Sequence, residues 1–379
     1  MVKNGVVHIF SDWNVILNAN ICHERNYDVY INNPCDPWGR KHVYGTVLLY
    51  LPLIDNFPKF YSLIFPVIVN LIFIYVSVSL FKFENKIKYF SLFFFVLSPS
   101  FILAIERANI DIIIFLILVL IAYNKNIILN YFFLILISIM KFYPISLISI
   151  FLFEKGLKKV FINISLISII IFGILFFQID QLKDVINNSK AFKAGGIYSF
   201  SNDALVGYLS NIKIVMFENN LSWIKYIIFV MTAILPLIIT VKIYFKFIFT
   251  NKDIQELFIN NYYENRLYIL SSIIVVCCYF AFSNYIYREI FILGLIPFVI
   301  KEKEYSKTNF FNFFYNILCL KFIFSSALIY LDLNNIIINL KPFLGLLKHS
   351  IDFYLISLIF IILVSAVYSF LKNQVPQKV

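Results

Sequence analysis

An all-α fold, a polytopic bundle of transmembrane helices, is what the sequence predicts, and three observations predict it. Of the 379 residues, 61% are hydrophobic and only 14% charged, with a mean hydropathy of +0.84. Several apolar runs approach or exceed the ~20 residues needed to cross a hydrocarbon core. No Gly/Ser linker, charge block or clear internal repeat divides the chain, so residues 1–379 read as a single integral-membrane domain. A net charge of +11 would suit nucleic acid on a soluble domain. Here it follows from Lys clusters beside the apolar runs and their contacts with membrane lipid, and no nucleic-acid partner is expected.

Residues 1–59 form a polar, aromatic outward N-terminal loop region without a signal-peptide core, which leads us to expect a transmembrane helix upstream of Met1. Cys22 and Cys35 lie in it, either paired in an oxidising compartment or as two free thiols. The clearest spans are Phe60–Phe81, Val160–Gln178, Trp223–Phe247, Leu267–Ser283, Asn309–Leu331 and Ile351–Leu371. The positive-inside rule places the short Lys-bearing loops in the cytoplasm: Lys82, Lys86 and Lys88; Lys155, Lys158 and Lys159; Lys301, Lys303 and Lys307. Lys242, Lys246, Lys372 and Lys378 fall on the same side. The stretches 105–108, 179–222 (a long outward loop), 284–288 and 332–350 then face outward with the N-terminal region.

The tetrad Glu106, Arg107, Asn109 and Asp111 sits between the apolar segments 89–104 and 112–123. Ionisable groups at a bilayer boundary are costly unless they pair, face a cavity or bind something. The tetrad is therefore a candidate working site; the alternative is an interfacial turn in which Arg107 and Asp111, at i,i+4, satisfy each other. Further on, Ile127–Met140 and Ile145–Phe153 are both short for a full span, and Pro144 would break or kink one continuous helix. Two half-helices meeting inside the protein restore the loop signs and aim Lys141 into a cavity, where it could meet an anion; the alternative is a Lys that snorkels to the interface. Arg288, in Asn284-Tyr285-Ile286-Tyr287-Arg288-Glu289, is either site or interfacial belt. The count becomes about nine crossings plus one broken or re-entrant helix pair.

In chain order, Asn26-Tyr27-Asp28-Val29-Tyr30, Tyr44-Gly45-Thr46-Val47, Leu51-Pro52-Leu53, the Glu-Arg-x-Asn-x-Asp tetrad, Lys141-Phe142-Tyr143-Pro144 and the segment from Ser199 to Leu205 resemble the GT-C glycosyltransferases. The nearest likeness is to glycosyltransferase family 87 and the mannosyltransferases of glycosylphosphatidylinositol synthesis. It extends over residues 26–211 and rests on motif order, since each motif alone is common. The usual Tyr-x-x-Pro reads Tyr-Gly-Thr-Val here, and Asp36, in Pro34-Cys35-Asp36-Pro37-Trp38-Gly39, competes with Asp28 for the acidic place.

The resemblance implies transfer of mannose or another hexose from a polyprenyl-phosphate sugar donor to a lipid or glycan acceptor, on the outer face of the plasma (inner) membrane. It implies Asp28, or else Asp36, as the catalytic base, both being otherwise turn caps. Arg107, Lys141 and Arg288 would hold the donor phosphate. Asp111 would orient Arg107, and Glu106, Asn109 and Tyr30 would lend support. Four scattered His and the apolar setting of Cys277, Cys278 and Cys319 predict no metal cluster, and no Gly-rich loop predicts a nucleotide cofactor. The competing functions are a cell-surface polysaccharide polymerase or ligase, then a transporter or flippase; the latter expects matching broken helices in both halves.

Overall fold

The computed structural model describes residues 2–3, 6–7, 9–51, 58–81, 92–153, 156–191, 196–202, 204–205, 263–280, 284–305, 309–334 and 341–374. The expected span Trp223–Phe247, Asp203, Pro52, half of the 179–222 loop and the Lys residues at 82, 86, 88, 155, 242, 246, 307 and 378 lie outside them. The described chain is mainly helical, with an irregular stretch over 25–45 and a short hairpin of two-residue strands, β1 (Val2–Lys3) and β2 (Val6–Val7). The helices are α1 (Ser11–Glu24), α2 (Phe65–Ser79), α3 (Pro99–Arg107), α4 (Asp111–Tyr123), α5 (Ile127–Met140), α6 (Leu157–Phe177) and α7 (Ile179–Ala191). After them come α8 (Tyr263–Phe280), α9 (Ile296–Tyr305), α10 (Asn309–Leu333) and α11 (Lys341–Gln374). Two longer 3₁₀ segments interrupt the series, Tyr143–Phe153 and Ile286–Leu295.

Among the described residues, four helices are long and apolar enough to cross a membrane: Phe60–Ser79, Leu157–Phe177, Phe310–Leu333 and Leu344–Phe370. The protein is an integral membrane protein. Each of the four coincides with an expected span, but the last begins earlier than expected. Residues 341–350, expected as an outward loop, belong to α11. The polar residues there do not end the helix because Lys348 and His349 are buried and engaged inside the protein.

The core is built on α4, α8, α11 and the 3₁₀ segment Ile286–Leu295, all apolar on most of their circumference. Without a strong hydrophobic force between helices in lipid, close approach and van der Waals packing carry association. Gly294 provides such an approach: a Cβ there would collide with the Ser271 hydroxyl on α8. Gly45 provides another, since its Cβ would collide with the Ile139 carbonyl, and its N–H donates to Met140 O at 3.0 Å. The N-terminal region is thereby seated on the last turn of α5.

Polar stretches collect at two ends of the bundle. At one, Asn188 donates to Tyr30 O at 2.8 Å, Phe200 N–H to Asn284 O at 2.8 Å, Tyr198 to Asp332 at 3.2 Å and Lys348 to Ser199 O at 2.8 Å. These bonds link the described parts of the N-terminal region and of the 179–222, 284–288 and 332–350 stretches. At the other, Tyr123 stacks on Tyr263, Arg266 donates to Asn124 O at 2.8 Å and Lys301 pairs with Glu264 at 3.1 Å.

Candidate functional site

Two helix breaks and one 3₁₀ segment position the site. The first break follows α3. Ala108 takes the left-handed conformation (φ 45°, ψ 53°), and Asn109 caps α4 by accepting the Asp111 N–H at 2.9 Å through Oδ1. Asp111 then sits in the first turn of α4, where a helix favours an acid. The second break lies at Lys141. Pro144 lacks an N–H and would clash with the preceding turn, so α5 stops at Met140, Lys141 is extended (φ −144°, ψ 146°) and the chain resumes as 3₁₀ at Tyr143. The break expected from Pro144 is there, and Lys141 is buried against Asp111 rather than snorkelling.

Asp111 is the centre of one half of the site. Its Oδ1 accepts from Lys141 Nζ and from the Tyr143 hydroxyl, the latter at 2.8 Å. Its Oδ2 lies 3.7 Å from Arg288 Nε, and neither atom makes a hydrogen bond among the described residues. Arg288 reaches Asn284 Oδ1 through Nη1 and lies 5.0 Å from the Tyr143 ring centre. Tyr44 and Tyr143 offer ring faces to Lys141 at 5.4 and 5.6 Å.

Asp12, in the first turn of α1, is the centre of the other half. Its Oδ1 accepts from Arg107 Nη1 at 3.1 Å and its Oδ2 from Asn109 Nδ2 at 2.7 Å. Phe10 N–H donates to Glu106 O at 3.0 Å, fixing the start of α1 against the end of α3. Arg40 approaches Asp12 to 3.9 Å and is itself held by Asp36 through a fork of 3.1 and 2.9 Å. Asn109 joins the halves, donating to Asp12 and accepting from the backbone of Asp111. Among the described residues, four cations (Arg40, Arg107, Lys141, Arg288) pair with three carboxylates (Asp12, Asp36, Asp111), and Glu106 lies exposed next to Arg107. Such a cluster is suited to an anion carried beside a proton acceptor.

Of the residues singled out from the sequence, Arg107, Asn109, Asp111, Lys141 and Arg288 are brought together. One expectation is corrected: Asp111 does not orient Arg107. The i,i+4 pairing presumes one continuous helix, and the left-handed turn at Ala108 places the two residues on different helices. Asp28 is exposed, and its Oδ1 accepts the Tyr30 N–H at 3.0 Å in a turn. Asp36 is buried and accepts from Trp38 N, Arg40 N and the Arg40 guanidinium. Burial alone would raise its carboxyl; the bonds and charge of Arg40 outweigh this and hold it below the usual carboxylate range. Tyr30 donates its hydroxyl to Tyr44 O at 3.2 Å, and the Glu106 side chain is exposed. Cys22 and Cys35 form a disulfide that ties the end of α1 to the Asp36 turn.

Asp12 was missed because nothing local marks a carboxylate whose partners lie 95 and 97 residues away. Tyr143 stood unassigned inside a noticed motif. A second charged cluster was also missed: Glu289, Lys321, Lys348 and Asp352. Lys321, interrupting the apolar run Asn309–Leu331, was its available signal. Among the described residues no group of three or more His, Cys, Asp or Glu is arranged to hold a metal ion. Comparison with family models, curated proteins and solved structures finds no match to this chain.

Proposed function

We propose that the chain is a membrane glycosyltransferase of GT-C type, moving mannose or another hexose from a polyprenyl-phosphate donor to a lipid or glycan acceptor. The observation that carries this reading is the pairing of Arg107 with Asp12 and of Lys141 and Arg288 with Asp111, two halves joined through Asn109 at the ends of apolar helices. In this reading Asp12, rather than Asp28 or Asp36, is the base. It accepts the proton of the acceptor hydroxyl as that oxygen bonds to the anomeric carbon. The bond from that carbon to the phosphate oxygen breaks, and the polyprenyl phosphate departs with its electron pair. Arg288 and Lys141 stabilise the phosphate charge, the guanidinium by directed bonds and the ammonium as a point charge. Arg107 and Asn109 hold Asp12 in orientation.

The reading includes about nine crossings, with 127–153 as the broken or re-entrant pair, and a site facing outward from the plasma (inner) membrane. The Cys22–Cys35 disulfide suits an oxidising compartment, and the bonds among the polar stretches suit a common face for them. Titration of a polyprenyl-phosphate mannose into purified protein in lipid tests the donor site. Wild type should bind it, and Arg288→Ala should bind it roughly ten-fold or more weakly, as expected for losing a hydrogen bond to a charged group. Equal binding by both proteins would remove Arg288 from the site. Preference for a lipid pyrophosphate glycan over the monophosphate sugar would favour the polymerase or ligase alternative, which the guanidinia of Arg40, Arg107 and Arg288 also suit.

A further inference from the structure

Glu289 adjoins Arg288 on the 3₁₀ segment Ile286–Leu295 and is fully buried. Its Oε2 accepts from the Ser100 hydroxyl of α3 at 2.7 Å, and its Oε1 from Lys321 Nζ of α10 at 2.6 Å. Lys321 also pairs with Asp352 of α11. Lys348, on α11, donates to Asp352 at 2.9 Å and to Ser199 O at 2.8 Å, and lies 3.9 Å from Glu289. His349 Nδ1 lies 3.5 Å from Asp352. Two lysines and two carboxylates thus balance inside the protein. The hydrogen bond from Phe200 N–H to Asn284 O holds the other end of the same turn.

Two geometric facts give Glu289 a role beyond charge balance. A 3₁₀ helix has poor internal hydrogen-bond geometry and rarely exceeds three or four residues, so a ten-residue run depends on ties to its surroundings. And Ser100 and Arg107 are seven apart on α3, on one face about two turns from each other. The Ser100–Glu289 bond therefore fixes how α3 and the 3₁₀ segment lie along each other. Arg107, on α3, and Arg288, beside Glu289, are carried by the two elements so tied.

We propose that Glu289 is a positioning residue for the phosphate site, holding Arg288, which binds the donor phosphate, in place relative to Arg107, which orients Asp12; this rests on the glycosyltransferase reading above. The test uses the full chain in lipid nanodiscs with undecaprenyl phosphate as the probe, alongside thermal unfolding and hydrogen exchange of residues 286–295. Glu289→Met should weaken undecaprenyl phosphate binding ten-fold or more, speed exchange in 286–295 and lower the Tm, because Lys321 and Lys348 are left with Asp352 alone. Glu289→Met/Lys321→Met restores charge balance and should recover the Tm. Its affinity should stay low and its exchange fast, because the tie to Ser100 is still absent. Affinity returning together with the Tm would reduce Glu289 to charge balance and overturn the proposal. If Glu289→Met does not fold, Ser100→Ala removes only the tie. It should weaken binding several-fold with a smaller fall in Tm than Glu289→Met, since Lys321 stays paired with Glu289; wild-type binding and exchange would overturn the proposal. Should wild type itself fail to bind the probe, the donor reading falls. The exchange data then judge the tie alone, and unchanged exchange in Ser100→Ala would refute it.

Discussion

Arg288 and Glu289 are neighbours in sequence and belong to two charged clusters of opposite character. Three of the four cations around Asp12 and Asp111 are partly open, the side chains of Arg40, Arg107 and Arg288 being 30%, 15% and 20% exposed, while Lys141 is buried. Among the described residues, Asp111 Oδ2 and Arg288 Nε face each other without a hydrogen bond. The cluster around Glu289 is closed, with Lys321 and Lys348 at 1% and 0% and charges in balance. Burying an ion is tolerable when its partners and hydrogen bonds are complete, and costly when one is missing. The closed cluster meets that condition by itself. The open one does not meet it among the described residues, and in the proposed reading an anion completes it; the difference would then separate scaffold from site.

The largest effect should come from unbalancing the closed cluster. Lys321→Met leaves two buried carboxylates facing Lys348 alone and should cost about 3–5 kcal/mol, read as unfolding in lipid-detergent mixtures. The equivalent change in the open cluster, Lys141→Met, should cost less, because Arg288 and Tyr143 remain beside Asp111. Equal losses would erase the distinction.

Next comes acid sensitivity in the N-terminal region. Burial pushes His42 down to about 4, so its ring is neutral when folded. In the unfolded chain it protonates near 6.5. Stability is therefore complete above pH 6.5 and declines as pH falls from 6.5 to 4, by about 3 kcal/mol in all. Asp36, held below its usual value, adds a loss only at lower pH, as its carboxylate takes up a proton. His42→Phe should flatten the Tm against pH between 6.5 and 4, and an unchanged slope would assign the sensitivity elsewhere.

Smaller again is Gly45→Ala, whose new methyl meets the Ile139 carbonyl. Overpacking of this kind costs about 1–3 kcal/mol. It should loosen the N-terminal region from α5 and raise proteolysis between residues 25 and 51 while leaving the closed cluster intact.

Much of the architecture was legible because membrane spans are written locally. A run such as Leu157–Phe177 declares itself by composition, and the break after Met140 follows from one proline. Pairings across the chain were not legible. Arg107 offered Asp111 as a partner under the assumption of one helix, and a single left-handed residue, Ala108, cancelled it. Asp12 and Arg107 belong to separate helices, and only packing joins them. Residues 341–350 looked like loop because Lys348 and His349 are polar, while their partners Asp352, Ser199 and Gly196 make them interior.

The central claim is that Asp12 is the base beside a phosphate site. Sugar transfer from polyprenyl-phosphate mannose, by purified Asp12→Asn, Asp28→Asn and Asp36→Asn proteins in lipid with folding checked, tests it directly. The account predicts a loss on the order of 10²–10⁴-fold for Asp12→Asn with donor binding retained, and near-normal turnover for Asp28→Asn. Asp36→Asn should fall between them, since it loosens Arg40 without removing a reacting group. Normal turnover by Asp12→Asn beside an inactive Asp28→Asn would contradict the account and return the base to the exposed turn.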